Sequence, residues 1–372
     1  AISGVILTGP VTIGMDVFIG LTGVLDIGTS LGEGAQLGHA SALHAGQTVP
    51  AGRHWHGSPG QETDADYRMV PSLEGGSWRR VCYPVLQLVY MLFGALPLAF
   101  GGLALLLVEV PWLAGLLSSD HISFTSVSFY AAVLEFSVVL FTGGLLLGFL
   151  LIMTLPRLLN LAIRPDRIYP LYGFRYACHR RIERLTKGKI FLLIFGDSFC
   201  IPRYLQWLGY KLSPLVQTGS NFGVDVKHDN PYLSAIGTRT VVADGLSMAN
   251  ANYSSTSFSV SLSSIGADNF LGNQIVYPPQ GKTGDNCLIG TKTLVPITGE
   301  VREGVGLLGS PAFEIPRTVE RDSKFIQMAH DEQFPRRLAA KNRHNLVSMA
   351  LFLLSRWFYI FVVLLSGAVS TD

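Results

Sequence analysis

Only four of the 372 residues are cysteine, and Cys82, Cys178, Cys200 and Cys287 lie far apart with no C-x-x-C spacing, which argues against a zinc site and a disulfide framework. Charge is scarce as well. Charged residues make up 15% of the chain and the net charge is +2, too little to point to nucleic acid, and no basic run interleaved with aromatics suggests a strand-binding groove. Walker A, H-E-x-x-H and G-x-S-x-G sequences are absent, which removes the P-loop, zinc-protease and hydrolase-elbow signatures. The string GVGLLG at 304–309 matches G-x-G-x-x-G, but Pro311 and Pro316 follow where a helix should open, so it is not read as a dinucleotide site. No initiator Met is present, and the chain is expected to be an internal piece of a longer protein.

Apolar residues, by contrast, are abundant: 48% of the chain, with a mean hydropathy above zero. Three runs, at 81–108, 127–155 and 346–369, are long enough to cross a bilayer, which takes about 20 apolar residues. Arg79 and Arg80 precede the first run, nine Lys and Arg between 157 and 189 follow the second, and Arg336, Arg337, Lys341 and Arg343 precede the third. The connection between the first two offers only Asp120 and His121. The positive-inside rule therefore places that connection outside the inner membrane and the remaining soluble segments in the cytoplasm. Glu135 and Arg356 fall inside apolar runs, so they are expected either to pair or to line a path for a charged product.

Residues 13–55 carry a strict period of six: Ile13, Ile19, Leu25, Leu31, Leu37, Leu43, Val49 and Trp55 are all large and apolar, and small or turn-forming residues follow them. That period is neither helical nor a simple strand. It fits stacked coils of three short strands, each giving one large side chain to a narrow interior. The period returns in weaker form at Ile236, Val242 and Met248, slips by one across 249–264, and resumes from Ile265 through Leu271, Tyr277, Thr283, Ile289, Val295, Val301 and Leu307. A loop or broken coil is expected at the slip. The first stretch resembles the hexapeptide-repeat, left-handed parallel β-helix of acyltransferases. The expected fold is a mixed membrane protein in which two such β-helices alternate with transmembrane α-helices. Its parts are the end of a first β-helix at 1–60, a linker at 61–80, a helical hairpin at 81–155, a basic juxtamembrane linker at 156–190, a second β-helix at 191–320, a linker at 321–345 and a third membrane helix at 346–369.

Longer strings carry a more specific likeness. QTGSNFGVDVKHDNP at 217–231, GTRTVVADGLSMANANYSSTSF at 237–258, FLGNQIVYPPQGKTGDN at 270–286 and VGLLGSPAFEIPR at 305–317 resemble the terminal region of membrane-bound nonribosomal peptide synthetases of the poly-ε-lysine synthetase type, and LGHASALHAGQTVPAGRHWHGSP at 37–59 resembles the preceding repeat domain there. The resemblance implies adenylation and carrier domains elsewhere in the same longer chain and tandem β-helix domains that join amino acids. The acyl donor would be a thioester on the carrier's phosphopantetheine, with no cofactor bound directly by this region. A third β-helix would complete a pseudo-trimer beside membrane lipid. Two other readings stay open: an acyltransferase using acyl-CoA on a glycan or lipid, and a noncatalytic scaffold or export element.

Amide formation from a thioester needs a base for the amine proton and a donor for the oxyanion. His228, in KHDNP, is the leading base, with Asp229 or Asp244 to hold its tautomer; Asp229 is adjacent on a strand and points the other way. His39, beside the small residues of GHAS, is the second candidate, to line the same groove or an equivalent one. His44 is a weaker alternative, and His54 and His56 in HWHGSP are expected to cap the coil. The polar run NANYSSTSF would offer hydroxyl and amide donors, or serve as an ordinary loop.

Overall fold

The computed structural model describes residues 6–74, 77–109, 127–196, 198–215, 217–317, 327 and 332–370. The chain divides into two compact units, 1–74 with 156–342, and 75–155 with 343–372.

In the first unit the six-residue period becomes a parallel β-helix. Thr12–Ile13 pairs with Ser30–Leu31 and that with Thr48–Val49, Phe18–Ile19 with Gln36–Leu37 and then His54–His56, and Val24–Leu25 with Ala42–Leu43. Each partner is eighteen positions on, which is three sixes. Every sixth side chain therefore stacks on its counterpart, and Leu31, Leu37, Leu43 and Val49 form a sealed interior with Ala35 between them. Burying each Leu contributes roughly 1.5–3 kcal/mol. Turns between strands need left-handed backbone, taken by glycine at 28, 34, 46 and 52 and by Ala40 and Thr22 elsewhere. Gln61–Glu62 pairs antiparallel with the last strand, and His54 Nδ1 and His56 Nδ1 reach the Ala65 carbonyl at 3.1 Å and the Tyr67 hydroxyl at 2.8 Å. These contacts tie a strap, residues 63–74, along the coil, which is the capping expected of HWHGSP.

The second β-helix has the same three-sided cross-section with interruptions. Ile265 pairs with Thr283, Leu271 with Ile289 and Ile289 with Leu307, again eighteen apart. Ile236, Val242 and Met248, however, pair with Ile265, Leu271 and Tyr277, twenty-nine positions on. The excess of eleven is one short of two sixes, which is why the period slips by one. The extra residues form an antiparallel hairpin, Ala251–Tyr253 with Ser257–Val260, projecting from the coil. Val301, expected inside, is 55% exposed.

Residues 156–190, expected as a linker, are folded onto this hairpin. Ile168–Pro170 adds to it as a third antiparallel strand, and the helix Phe174–Thr186 packs Cys178 and Ile182 against Ala251, Phe258 and Val260. Residues 189–208, expected mostly as coil, form the helices Lys189–Phe195 and Ile201–Leu208, and the first strand of this β-helix is Lys211–Leu212. The heavy apolar content of these segments is satisfied by helix packing rather than by coil stacking.

Among the described residues, three helices are long and apolar enough to cross a membrane: Trp78–Gly102, Val127–Asn160 and Phe334–Gly367. In the second unit the Trp357 indole donates to the Ser137 hydroxyl at 3.0 Å. Glu135 lies two positions, about 200° of helix, from Ser137 and so faces away from that contact. The expected Glu135–Arg356 pair does not form among the described residues; Arg356 instead lies over the Phe352 ring at 5.1 Å. Asp120 and His121 lie outside the described residues.

Candidate functional site

Within the first unit the two β-helices meet side by side. Ser58 N–H donates to the Ser310 carbonyl at 2.9 Å, the Ser310 hydroxyl to the Ala40 carbonyl at 3.1 Å, and the Ser257 hydroxyl to the Pro71 carbonyl at 2.6 Å. Beside the Ser257–Pro71 contact lies a groove of about 1060 Å³. One wall is the turn face of the first β-helix with His39 and the strap; the other is the helix Phe174–Thr186, Asp229 and the inserted hairpin. The coil interiors are filled, so a substrate has room only on an outer face or between the β-helices, and this groove is larger than a second cleft that both β-helices line.

His39 is the clearest feature of the first wall. It is only 5% exposed, and its Nδ1 accepts the Leu21 N–H from the coil below at 3.0 Å. Phe18 and Tyr67 meet the ring edge-on at 5.9 and 5.7 Å. Burial pushes its pKa down to about 4, so the ring is neutral at physiological pH. With Nδ1 engaged as acceptor, the single proton sits on Nε2. His39 was expected as a base; its geometry makes it a hydrogen-bond donor.

On the opposite wall Asp229 accepts the N–H groups of Asn250 and Ala251 through Oδ2, at 3.0 and 3.3 Å, and holds Oδ1 3.9 Å from Lys187 Nζ. Burial raises its pKa, opposed by Lys187 and the two backbone bonds. Glu183, on the same wall, pairs with Arg180 and with Lys187, the latter at 2.8 Å. Asp229 is therefore a partly desolvated carboxylate with one oxygen committed to the backbone and one oriented toward a single cation.

His228, the leading base from sequence, is withdrawn from the site. Its strand pairs with Ser247–Met248 so that His228 stacks on Met248 inside the coil, and it is 1% exposed. Its Nε2 lies 2.9 Å from the Thr186 hydroxyl, whose own proton goes to the Ile182 carbonyl at 2.8 Å, so Nε2 donates. Tyr210 packs edge-on at 5.3 Å, and burial drives the pKa down to about 3. Asp229 does not touch its ring. Asp244 is elsewhere as well: its Oδ1 accepts the Asn221 N–H at 2.9 Å, and it lines a separate cleft of about 720 Å³. His44 is exposed at a turn.

The hairpin brings a pair to the groove of which the sequence reading had one member, in the polar run NANYSSTSF, and missed the other, His179. Tyr253 lines it, and the Tyr253 hydroxyl lies 2.9 Å from Nε2 of His179, a fully buried side chain stacked on Phe258 at 5.4 Å. Asn252, also on the groove wall and 5% exposed, has an amide Nδ2 with no partner. The phase slip at NANYSSTSF was the available signal for Asn252 and Tyr253, whereas nothing local in FRYACHRRIERLT marked His179 as their neighbour.

No protein-family model matches the chain. Delta-poly-L-ornithine synthetase of Acinetobacter baumannii (strain AB307-0294) is 21% identical over 326 residues, covering 84% of this chain and 23% of that protein, so the chain spans less than a quarter of that relative's length. Among solved structures, a galactoside acetyltransferase in complex with coenzyme A has a TM-score of 0.26 at 15% identity, covering 39% of this chain and 84% of that one. A maltose O-acetyltransferase from Clostridium difficile 630 has a TM-score of 0.22 at 15% identity, covering 45% and 85%.

Proposed function

We propose that the groove between the two β-helices joins an acyl group, delivered as a thioester on a carrier-borne pantetheine arm, to the amine of an amino acid. The chain would then be a membrane-anchored terminal module of a nonribosomal peptide synthetase, with its β-helices on the cytoplasmic side and adenylation and carrier domains supplied by other parts of the longer chain. The observation that carries the reading is the pairing of His39 and Asp229: a buried neutral imidazole with Nε2–H unengaged on one wall, and a desolvated carboxylate on the other. The synthetase-named relative supports an amino-acid substrate.

In this scheme Asp229 takes a proton from the acceptor ammonium, and the freed amine attacks the thioester carbonyl. The oxyanion of the tetrahedral intermediate receives the hydrogen bond of His39 Nε2–H. Asp229, having passed the first proton to bulk water, takes the second from the nitrogen of the tetrahedral intermediate; collapse then breaks the C–S bond, forms the neutral amide and expels the carrier thiolate, which takes that second proton from Asp229. A desolvated carboxylate suits this work because its raised pKa lies nearer that of the group it must deprotonate.

The test is reconstitution of the full synthetase with aminoacyl-loaded carrier. His39→Ala should lower amide turnover about 10²- to 10³-fold, the usual effect of removing an oxyanion donor. Asp229→Asn, which keeps an oxygen for the backbone bonds, should lower it about 10²- to 10⁴-fold. Carrier loading should be normal in both. Wild-type turnover in both variants would move the groove to a scaffold role, and turnover with aminoacyl-CoA but not with the carrier would replace the donor in the scheme.

A further inference from the structure

We propose that Tyr253 is a second hydrogen-bond donor to the reacting carbonyl, and that buried His179 is the positioning residue that turns its hydroxyl proton into the groove. The inference rests on the amide-forming reading of the groove but on different atoms from those that support it. Among the described residues His179 has one hydrogen-bond partner: Nε2 lies 2.9 Å from the Tyr253 hydroxyl, and Nδ1 is sealed with none. A neutral imidazole carries one proton. If that proton were on Nδ1, the protein would bury an unsatisfied N–H; on Nε2, it leaves only an unsatisfied lone pair. Orphaned buried donors are the rarer of the two. Nε2–H therefore donates to the Tyr253 oxygen, and the phenolic O–H is left to point away from His179, toward the groove that Tyr253 lines.

The surroundings keep both groups in that state. Burial holds His179 down at about 4, against the opposing pull of Glu183, so it stays neutral. Burial together with the charges of Asp229 and Glu183 raises the Tyr253 phenol, with Arg180 opposing, so it stays a donor rather than becoming a phenolate. The ring stacks on Phe258 at 6.2 Å, as does His179, which fixes both planes. An O–H held in this way adds a donor from the second β-helix opposite His39 from the first, and no covalent step is added to the reaction.

Two measurements test it. In the reconstituted synthetase, Tyr253→Phe should lower kcat about 10²- to 10³-fold with KM little changed. His179→Leu should lower kcat in the wild-type background and add nothing in the Tyr253→Phe background, while His179→Gln, whose Nε2 amide still donates, should restore most of it. Independent losses in the double variant would overturn the positioning role. Separately, ¹⁵N-histidine spectra of the chain in detergent, with His179 assigned through His179→Gln, should show Nε2 protonated and Nδ1 bare at neutral pH. A protonated Nδ1 would overturn the proposal whatever the activity does, whereas correct tautomers without amide synthesis would count against the reaction rather than the donor.

Discussion

The two β-helices share one cross-section and differ in regularity. In the first, every described pairing between consecutive coils is eighteen positions apart, and Leu31, Leu37, Leu43 and Val49 are sealed inside while Ile13 and Ile19, in the first described coil, stay exposed. The second departs from that spacing at the coil of Ile236, Val242 and Met248, and also through the coil before it, where Lys211–Leu212 and Gln217–Thr218 pair twenty-four positions on and Lys227–His228 pairs twenty positions on with Ser247–Met248. The first departure puts a hairpin on the outside, and the second puts a histidine on the inside. Regular coils thus make a wall that carries one buried histidine, His39, and the irregular ones bring Asp229, Asn252 and Tyr253 to the groove.

The sharpest way to break this contrast is to remove the insertion. Deleting residues 250–260 would restore an eighteen-residue spacing between Met248 and Tyr277, and should abolish amide synthesis, because Tyr253 and Asn252 go with it and the helix Phe174–Thr186 loses its packing partners. Amide yield by mass spectrometry measures this; synthesis at the wild-type rate would remove the groove from consideration. Next in size are core truncations. Leu37→Ala in the first β-helix and Leu271→Ala in the second should each cost about 2–5 kcal/mol, since both are sealed at an every-sixth position. Denaturant unfolding reads this, and a markedly smaller loss in the second would mean that its irregular coils relax more readily into a cavity.

The buried histidines predict a pH effect of opposite sign to that of salt-bridged histidines. His39, His179 and His228 have folded pKa values pushed down to about 4, 4 and 3 from 6.5 by burial. Between those values and 6.5 the unfolded chain binds more protons than the folded one, so stability should be full above about pH 6.5 and fall progressively as pH drops toward 4. Melting temperature across pH 4–8 checks it, and a midpoint that rises on acidification would contradict the neutral assignments. The smallest effect belongs to His228→Met. It places a thioether where Met248 already stacks, leaves the Thr186 hydroxyl bonded to Ile182, and removes one orphaned nitrogen, so activity should be unchanged and stability equal or higher. A large loss of turnover would return His228 to the site.

His39 and His228 show how far the sequence could be followed. His39 sits in an unbroken run of sixes, so its turn position and its nearness to the outer face were legible; its role as donor was not, because that depends on the Leu21 N–H one coil below. His228 follows the short helix Phe222–Asp225, which lies within a coil and changes the count, and the period no longer told inside from outside. Asp229 was legible as a neighbour that points away from His228, and it is this opposite direction that brings it to the groove.

By itself the sequence determined the coil interior and the three apolar helices. Both follow from repeating patterns in which each residue's environment is set by neighbours at a fixed spacing, every sixth place for the coil and about 20 consecutive apolar residues for a span. Only the tertiary structure decided the groove. His39, His179, Asp229 and Tyr253 come from four separated segments, and they meet because a hairpin of non-repeating length projects from one coil, recruits Ile168–Pro170 and the helix after it, and lies against the strap of another. A local period carries no information about such meetings, since they depend on which buried surfaces remain to be covered once each coil has closed on itself.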